Sequence, residues 1–170
     1  MAPAAAHDTA RPAASGERSL RYAAPAEWTV VKPSSSMRQG QFSLPRAAGD
    51  PEDGELAVFY FQGSGGAVQA NIDRWIGQFS KADGSDATDA ASMTKREVNG
   101  MKVSVVDVSG TYHAAMGPML AETQKKPGFR MLAAVAETKG GPWFFKLTGP
   151  AKTIAKWEKS FYAFLETFKE

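Results

Sequence analysis

The chain has 170 residues, with 20 Lys and Arg against 18 Asp and Glu, for a net charge of +2. Such an even balance lacks the concentrated basic footprint that a phosphate backbone requires, so nucleic acid is not expected as a partner. With 43% hydrophobic residues and no cysteine, the composition is that of one packed domain without disulfides, thiolate chemistry, Cys-ligated zinc or iron-sulfur clusters.

Residues 1–18 are rich in Ala and Pro and contain no Leu, Val, Ile or Phe, which predicts a disordered tail and not the apolar heart of a signal peptide. Such a tail reads as the spacer behind a removed signal or lipobox. The expectation is then a periplasmic or otherwise extracytoplasmic protein with a lipid anchor in its precursor, a cytoplasmic protein with a plain extension being the alternative. No apolar run in the chain approaches the roughly 20 residues that span a bilayer. Residues 19–170 are expected to form a single domain, and a monomer.

Two short apolar clusters, Leu20 with Tyr22 and Trp28 with Val30 and Val31, predict short extended segments closed by Pro33. Residues 37–44 alternate weakly, in the manner of an edge strand, and end at Pro45. A Gly, Asp and Pro rich loop follows over 46–54. Residues 56–61 are apolar on both alternating sets, the mark of a strand covered on both faces. In 66–80, Val68, Ile72, Trp75, Ile76 and Phe79 recur at helical spacing and predict one buried stripe.

Residues 81–92 form a polar excursion. Asn99-Gly100 between 95–98 and 101–108 predicts a hairpin, because a two-residue type I′ turn needs positive φ at both positions. Residues 110–128, with Gly117, Pro118, Pro127 and Gly128, read as a long loop. Residues 129–138 and 143–147 pair as a second hairpin. A final helix begins behind Gly149 and Pro150 and turns Ile154, Trp157, Phe161, Phe164, Leu165 and Phe168 inward. The order of elements predicts an α+β fold, an antiparallel sheet flanked by helices.

Candidate sites are few. Gly63, Gly65 and Gly66 precede a helix, so their backbone amides, with Arg74 nearby, form a candidate anion-binding turn. The Lys and Ser or Thr of a phosphate-binding loop are replaced there by Ala67 and Val68, which favours a plain strand-to-helix connection. His113, Met116, Met119, Leu120, Lys125 and Lys126 form a candidate partner loop, offering adaptable apolar contacts beside positive charge. Asp107 shares a strand face with Val103 and Val105, and a carboxylate turned inward there needs a partner such as Lys146; an exposed edge with both groups outward is the other reading. No nucleophile, base and orienter can be named together, and no cofactor or metal ligand set is legible.

The segments SSSMRQGQFSLP, ELAVFYF with its glycine turn, NIDRWIGQF, VSGTY and WFFKLTGP, taken together, are similar to a group of uncharacterised bacterial proteins, often exported or lipid anchored. These resemble the PsbP-like superfamily, and the resemblance covers residues 19–170. It implies an α/β/α sandwich around an antiparallel sheet and an accessory role, docking an unknown protein or small ligand without catalysis. No partner-binding motif of that superfamily can be carried onto residues here. The alternative function is an anion- or phosphoester-binding protein, or an enzyme, working through the Gly63–Gly66 turn.

Overall fold

In the computed structural model, described for residues 20–60, 67–115 and 123–170, the chain builds its sheet from runs that are apolar on both alternating sets. Eight strands are joined entirely by antiparallel pairing: β1 (Thr29–Val30), β2 (Arg38–Leu44), β3 (Gly54–Tyr60), β4 (Phe79–Ser80), β5 (Ser92–Val98), β6 (Met101–Ala115), β7 (Thr123–Thr138) and β8 (Gly141–Pro150). Their order is β1-β2-β3-β8-β7-β6-β4, with β5 also lying along β6. Two helices complete the fold, α1 (Ala67–Ile76) and α2 (Ala151–Leu165).

Two-sided burial explains those apolar runs. Val103, Val105, Leu132, Ala134, Phe145 and Leu147 pack with Ile154, Trp157, Phe161, Phe164 and Leu165 of α2. The intervening residues Val106, Val108, Met131, Ala133, Val135 and Phe144 pack with Ile72, Trp75 and Ile76 of α1. Each helix therefore covers one face of the central strands, and alternation sorts neighbouring residues between two separate cores.

The turn at Asn99-Gly100 forms as its residues demand. Asn99 has φ of 50° and Gly100 of 81°, Val98 faces Met101, and the Asn99 side chain donates to Phe168 O at 2.7 Å. The β7–β8 turn is tighter than expected, with Thr138 already paired to Gly141. Pro150 caps α2 from outside, one residue before the helix begins.

The stretch 110–128 departs from its reading as a loop. β6 runs on to Ala115 and β7 starts at Thr123, so that His113 faces Lys125 and Tyr112 faces Lys126. The register slips between Gly110 and Tyr112, and opposite this slip Gly128 takes φ of 70°. Gly110, Pro127 and Gly128 thus serve a bulge within a strand pair, where an extra residue bends the ribbon. β4 was not expected as a strand; its two residues pair with Thr111 and Tyr112. The polar excursion after it includes a short 3₁₀ turn, Thr88–Ala90, anchored by the buried Ala87. No helix among the described residues is long and apolar enough to cross a membrane.

Candidate functional site

Lys146 occupies a position where a charge is costly. It lies in the middle of β8, paired to Ala133 of β7 and Ala57 of β3, and Ala133 belongs to the α1-side core. Its Nζ donates to Gln78 Oε1 at 2.5 Å, with the Tyr112 hydroxyl 3.5 Å away. The rings of Trp75 and Tyr112 stand 5.7 and 5.4 Å from the ammonium, offering their electron-rich faces. Among the described residues no carboxylate forms an ion pair with Lys146.

The electrostatics follow from that position. Burial, aided by the positive charges of Arg38 and Arg74 and opposed by Glu55, pushes the Lys146 ammonium down to about 8. Burial also raises the Tyr112 phenol, with Glu55 adding to the shift and Arg38 opposing it. Arg38 and Glu55 form their own ion pair at 2.6 Å. Hence the α1 side of the sheet carries, around Lys146, an aromatic and amide lining bordered by charged groups from β2, β3 and α1.

The local sequence explains how each part arrives. α1 turns Ile72, Trp75 and Ile76 onto the sheet and ends at Gly77, whose N-H still reaches Asp73 O. The chain then bends so that Gln78 O accepts from His113 N at 2.7 Å and Phe79 stacks on Tyr112 with centroids 5.1 Å apart. Trp75 and Gln78 come from NIDRWIGQF, Tyr112 from VSGTY and Lys146 from WFFKLTGP. Three separated segments thus meet at one ammonium group.

The expected pairing of Asp107 with Lys146 is corrected. Asp107 is paired to Leu132, a residue of the α2-side core, so the two charges leave the sheet on opposite faces. Asp107 instead accepts two hydrogen bonds from Arg130, at 2.9 and 2.7 Å, and Arg130 also reaches Glu158 of α2 at 3.2 Å. Both carboxylates hold the guanidinium well above its ordinary value, against the opposing effect of burial. Further along α2, Arg96 lies 4.6 Å from the Tyr162 ring and pairs with Glu166 at 3.0 Å. These contacts fasten α2 to the sheet, and they leave Asp107 no role as a free acid.

Of the candidate anion-binding turn, Gly63, Gly65 and Gly66 lie outside the described residues. Arg74 is exposed in the last turn of α1, donating to Asn71 Oδ1 at 2.7 Å. Of the candidate partner loop, Met116, Met119 and Leu120 also lie outside the described residues. Lys125 is an exposed strand residue. Lys126 is tied to Glu52 at 2.8 Å and lies over the Phe129 ring. His113 is half-buried, with Nε2 2.9 Å from Ser80 Oγ. Among the described residues no carboxylate hydrogen-bonds to this His-Ser pair, so they do not assemble a nucleophile, base and orienter.

The acidic residues leading into and opening β3 are similarly committed. Asp53 accepts from Arg46, Glu52 from Lys126 and Glu55 from Arg38, while Asp50 accepts from the buried Thr153 hydroxyl at 2.6 Å. No group of three or more His, Asp or Glu among the described residues is placed to hold a metal ion.

Lys146 and its lining escaped the sequence reading as a site. Lys146 was considered only as a partner for Asp107, and neither Gln78 nor Tyr112 was singled out. A lysine inside an apolar strand was the available signal.

No protein-family model matches the chain, and no curated protein is significantly similar to it. Among solved structures, the chain is similar to PA94 of Pseudomonas aeruginosa, a protein of unknown function, with a TM-score of 0.52 and 10% identity over 85% of this chain and 97% of that one. It is also similar to the cyanobacterial PsbP protein, CyanoP, of Synechocystis, with a TM-score of 0.47 and 14% identity over 88% of this chain and 85% of that one. The likeness to the Pseudomonas protein shows a shared fold, an antiparallel sheet with helices, and nothing of function.

Proposed function

We propose that this chain is a non-catalytic binding or accessory protein of the PsbP-like kind, built as an α/β/α sandwich, and that its working surface is the α1 side of the sheet around Lys146. The observation that carries this reading is the convergence of Trp75, Gln78, Tyr112 and Lys146 on one ammonium with no ion-pair partner among the described residues. A perturbed titratable group lined by aromatic and amide side chains is a mark of a functional site. Arg38 and Arg74, opposed by Glu55, influence the ammonium there, and an anion-binding reading of this face stands beside the alternative at the glycine turn.

We further propose an extracytoplasmic location, on the strength of the Ala and Pro rich segment ahead of the domain, and a monomeric state. Lys95, Arg96 and Glu97 on β5, at the margin of the sheet, supply the charges that discourage edge-to-edge pairing. Cell fractionation and light scattering test these two points.

The function is tested by titrating isotope-labelled protein with the small-molecule and protein fractions of the host's extract. The expected result is a set of NMR shift changes at Trp75, Gln78, Tyr112 and Lys146. Changes confined to the α2 side, or chemical turnover of an extract component, would contradict the reading.

A further inference from the structure

We infer that α1 is a cap that lifts from the sheet about Gly77 while α2 stays docked, and that the ammonium buried beneath it biases the cap toward lifting. This inference rests on the binding role proposed above and gives its surface a means of being covered and uncovered.

The two helices are fastened differently. α2 is tied by polar bonds along its length: Thr153 donates to Asp50 Oδ2 at 2.6 Å, Trp157 donates to Pro45 O at 2.7 Å, and Glu158 pairs with Arg130 at 3.2 Å. Its buried Ile154, Phe161, Phe164 and Leu165 add to these ties. α1 meets the sheet through Ile72, Trp75 and Ile76. Its polar side chains bond along the helix, Gln69 to Asp73 at 2.8 Å and Arg74 to Asn71 at 2.7 Å. A short helix that buries fewer apolar side chains is the layer of lower local stability.

The chain beyond Gly77 is pinned separately. Gln78 O accepts from His113 N at 2.7 Å, Phe79 and Ser80 pair with Tyr112 and Thr111, and Ser80 Oγ lies 2.9 Å from His113 Nε2. Gly77 is exposed and has the backbone freedom of a residue without a Cβ, so rotation there moves α1 and leaves those contacts intact. Lifting takes the Trp75 ring away from Lys146 and from Phe144, against which it packs edge-on at 5.4 Å. Gln78 and Tyr112 stay with the ammonium.

Lys146 supplies the bias because its surroundings are neutral. With α1 down, the ammonium has an amide, a phenol and ring faces around it, and water restores its hydration once α1 is up. The Trp75 ring attracts the cation, but burial outweighs that attraction and holds Lys146 at about 8. The charged and titratable groups around it are Arg38 from β2, Glu55 from β3, Arg74 from α1 and Tyr112 from β6, while β7 presents Ala133 and the His113 ring turns to Ser80. The lifted state returns Lys146 toward its ordinary 10.5 and so binds the proton more tightly. Opening is therefore most frequent below about pH 8 and falls as pH rises toward 10.5.

The chain has no cysteine, so a single introduced thiol is the only one to alkylate. Val135→Cys places it in the core under α1 and Val105→Cys in the core under α2, at sites that are both 1% exposed. Iodoacetamide labelling of the whole chain at low reagent concentration follows the open population, and dividing each rate by that of the same variant in urea removes the ionisation of the thiol. The expected result is that Val135→Cys labels at least about tenfold faster than Val105→Cys at pH 7. Adding Lys146→Met is expected to slow Val135→Cys about tenfold, and adding Lys125→Met, an exposed lysine, to leave it unchanged. Equal labelling of the two sites, no slowing by Lys146→Met, or a normalised Val135→Cys rate flat from about pH 7 to 9.5 would overturn the inference. The pH series keeps the test decisive if Lys146→Met fails to fold. Hydrogen exchange of the unsubstituted chain, with Ile72 and Trp75 amides expected to exchange ahead of Ile154 and Phe161, does so if a cysteine variant fails. Extract-induced shifts at this face in a protein whose two thiols label equally would remove the cap alone; a lifting cap with no response to extract would remove the binding role alone.

Discussion

Lys146 Nζ donates to Gln78 Oε1 at 2.5 Å, joining the middle of a central strand to the bend that leaves α1. Gln78 stabilises the ammonium through a dipole and adds no compensating charge, so the cost of burying it remains only partly met. The same residue accepts from the backbone of His113, so this one bend fixes both the lysine and the start of the strand extension beyond the bulge.

Lys146 is therefore expected to lower stability near neutral pH. In the unfolded chain it has an ordinary value of 10.5, while in the fold it is held at about 8. Between those values the unfolded state binds the extra proton, so stability contributed by this group rises with pH there. Below about pH 8 both states are charged and the penalty is felt in full. Lys146→Met is expected to gain about 1 to 2 kcal/mol at pH 7, after allowing for partial exposure and for Gln78 losing its donor. Urea unfolding of both proteins from pH 7 to 10.5 checks this, and the difference between them should shrink as pH rises.

Arg130 behaves differently because its partners are charged. Its two bonds to Asp107 and its reach to Glu158 need a planar fork, so Arg130→Lys is expected to lose most of the contact despite keeping the charge. A loss of about 2 kcal/mol is expected for Arg130→Met. A double-mutant cycle with Asp107→Asn should show strong coupling, and one with Lys146→Met should show none, since those charges lie on opposite faces.

Gly110 is held to glycine by close approach. A Cβ at this position would lie 2.3 Å from Ser80 O, and backbone cannot swing aside as a side chain can. Gly110→Ala is expected to push β4 from β6 at a cost of about 2 kcal/mol. The loss of hydrogen-exchange protection should concentrate at Ser80, Thr111 and Tyr112.

Phe161 lies wholly buried at the centre of the α2 interface. Phe161→Ala is expected to cost about 3 to 5 kcal/mol, read as a lower urea midpoint with unchanged slope. The Trp75 environment on the other face should stay native in the folded variant, because the two cores are separated by the sheet.

Much of this fold was legible because local chemistry left few choices. Asn99-Gly100 demanded its turn, and the spacing from Ile154 to Leu165 demanded an inward helix face, whereas Phe168 is buried but lies past the end of α2. Alternation also placed Asp107 correctly with Val103 and Val105. Lys146 was harder, since Trp143, Phe144, Phe145 and Leu147 are apolar on both alternating sets and give no pattern from which to assign its face. Only the register with β7 decides that, and register is a long-range property. Pro127 and Gly128 were read as loop residues because a bulge uses the same chemistry as a turn.

The central claim is that Lys146 keeps a half-buried ammonium on the α1 side with no carboxylate ion-paired to it among the described residues. NMR titration of the lysine ε-carbons, with Lys146 assigned by substitution, measures this directly. A midpoint near 8 for Lys146, apart from the other lysines, is the predicted result. A midpoint at the ordinary lysine value would contradict the account.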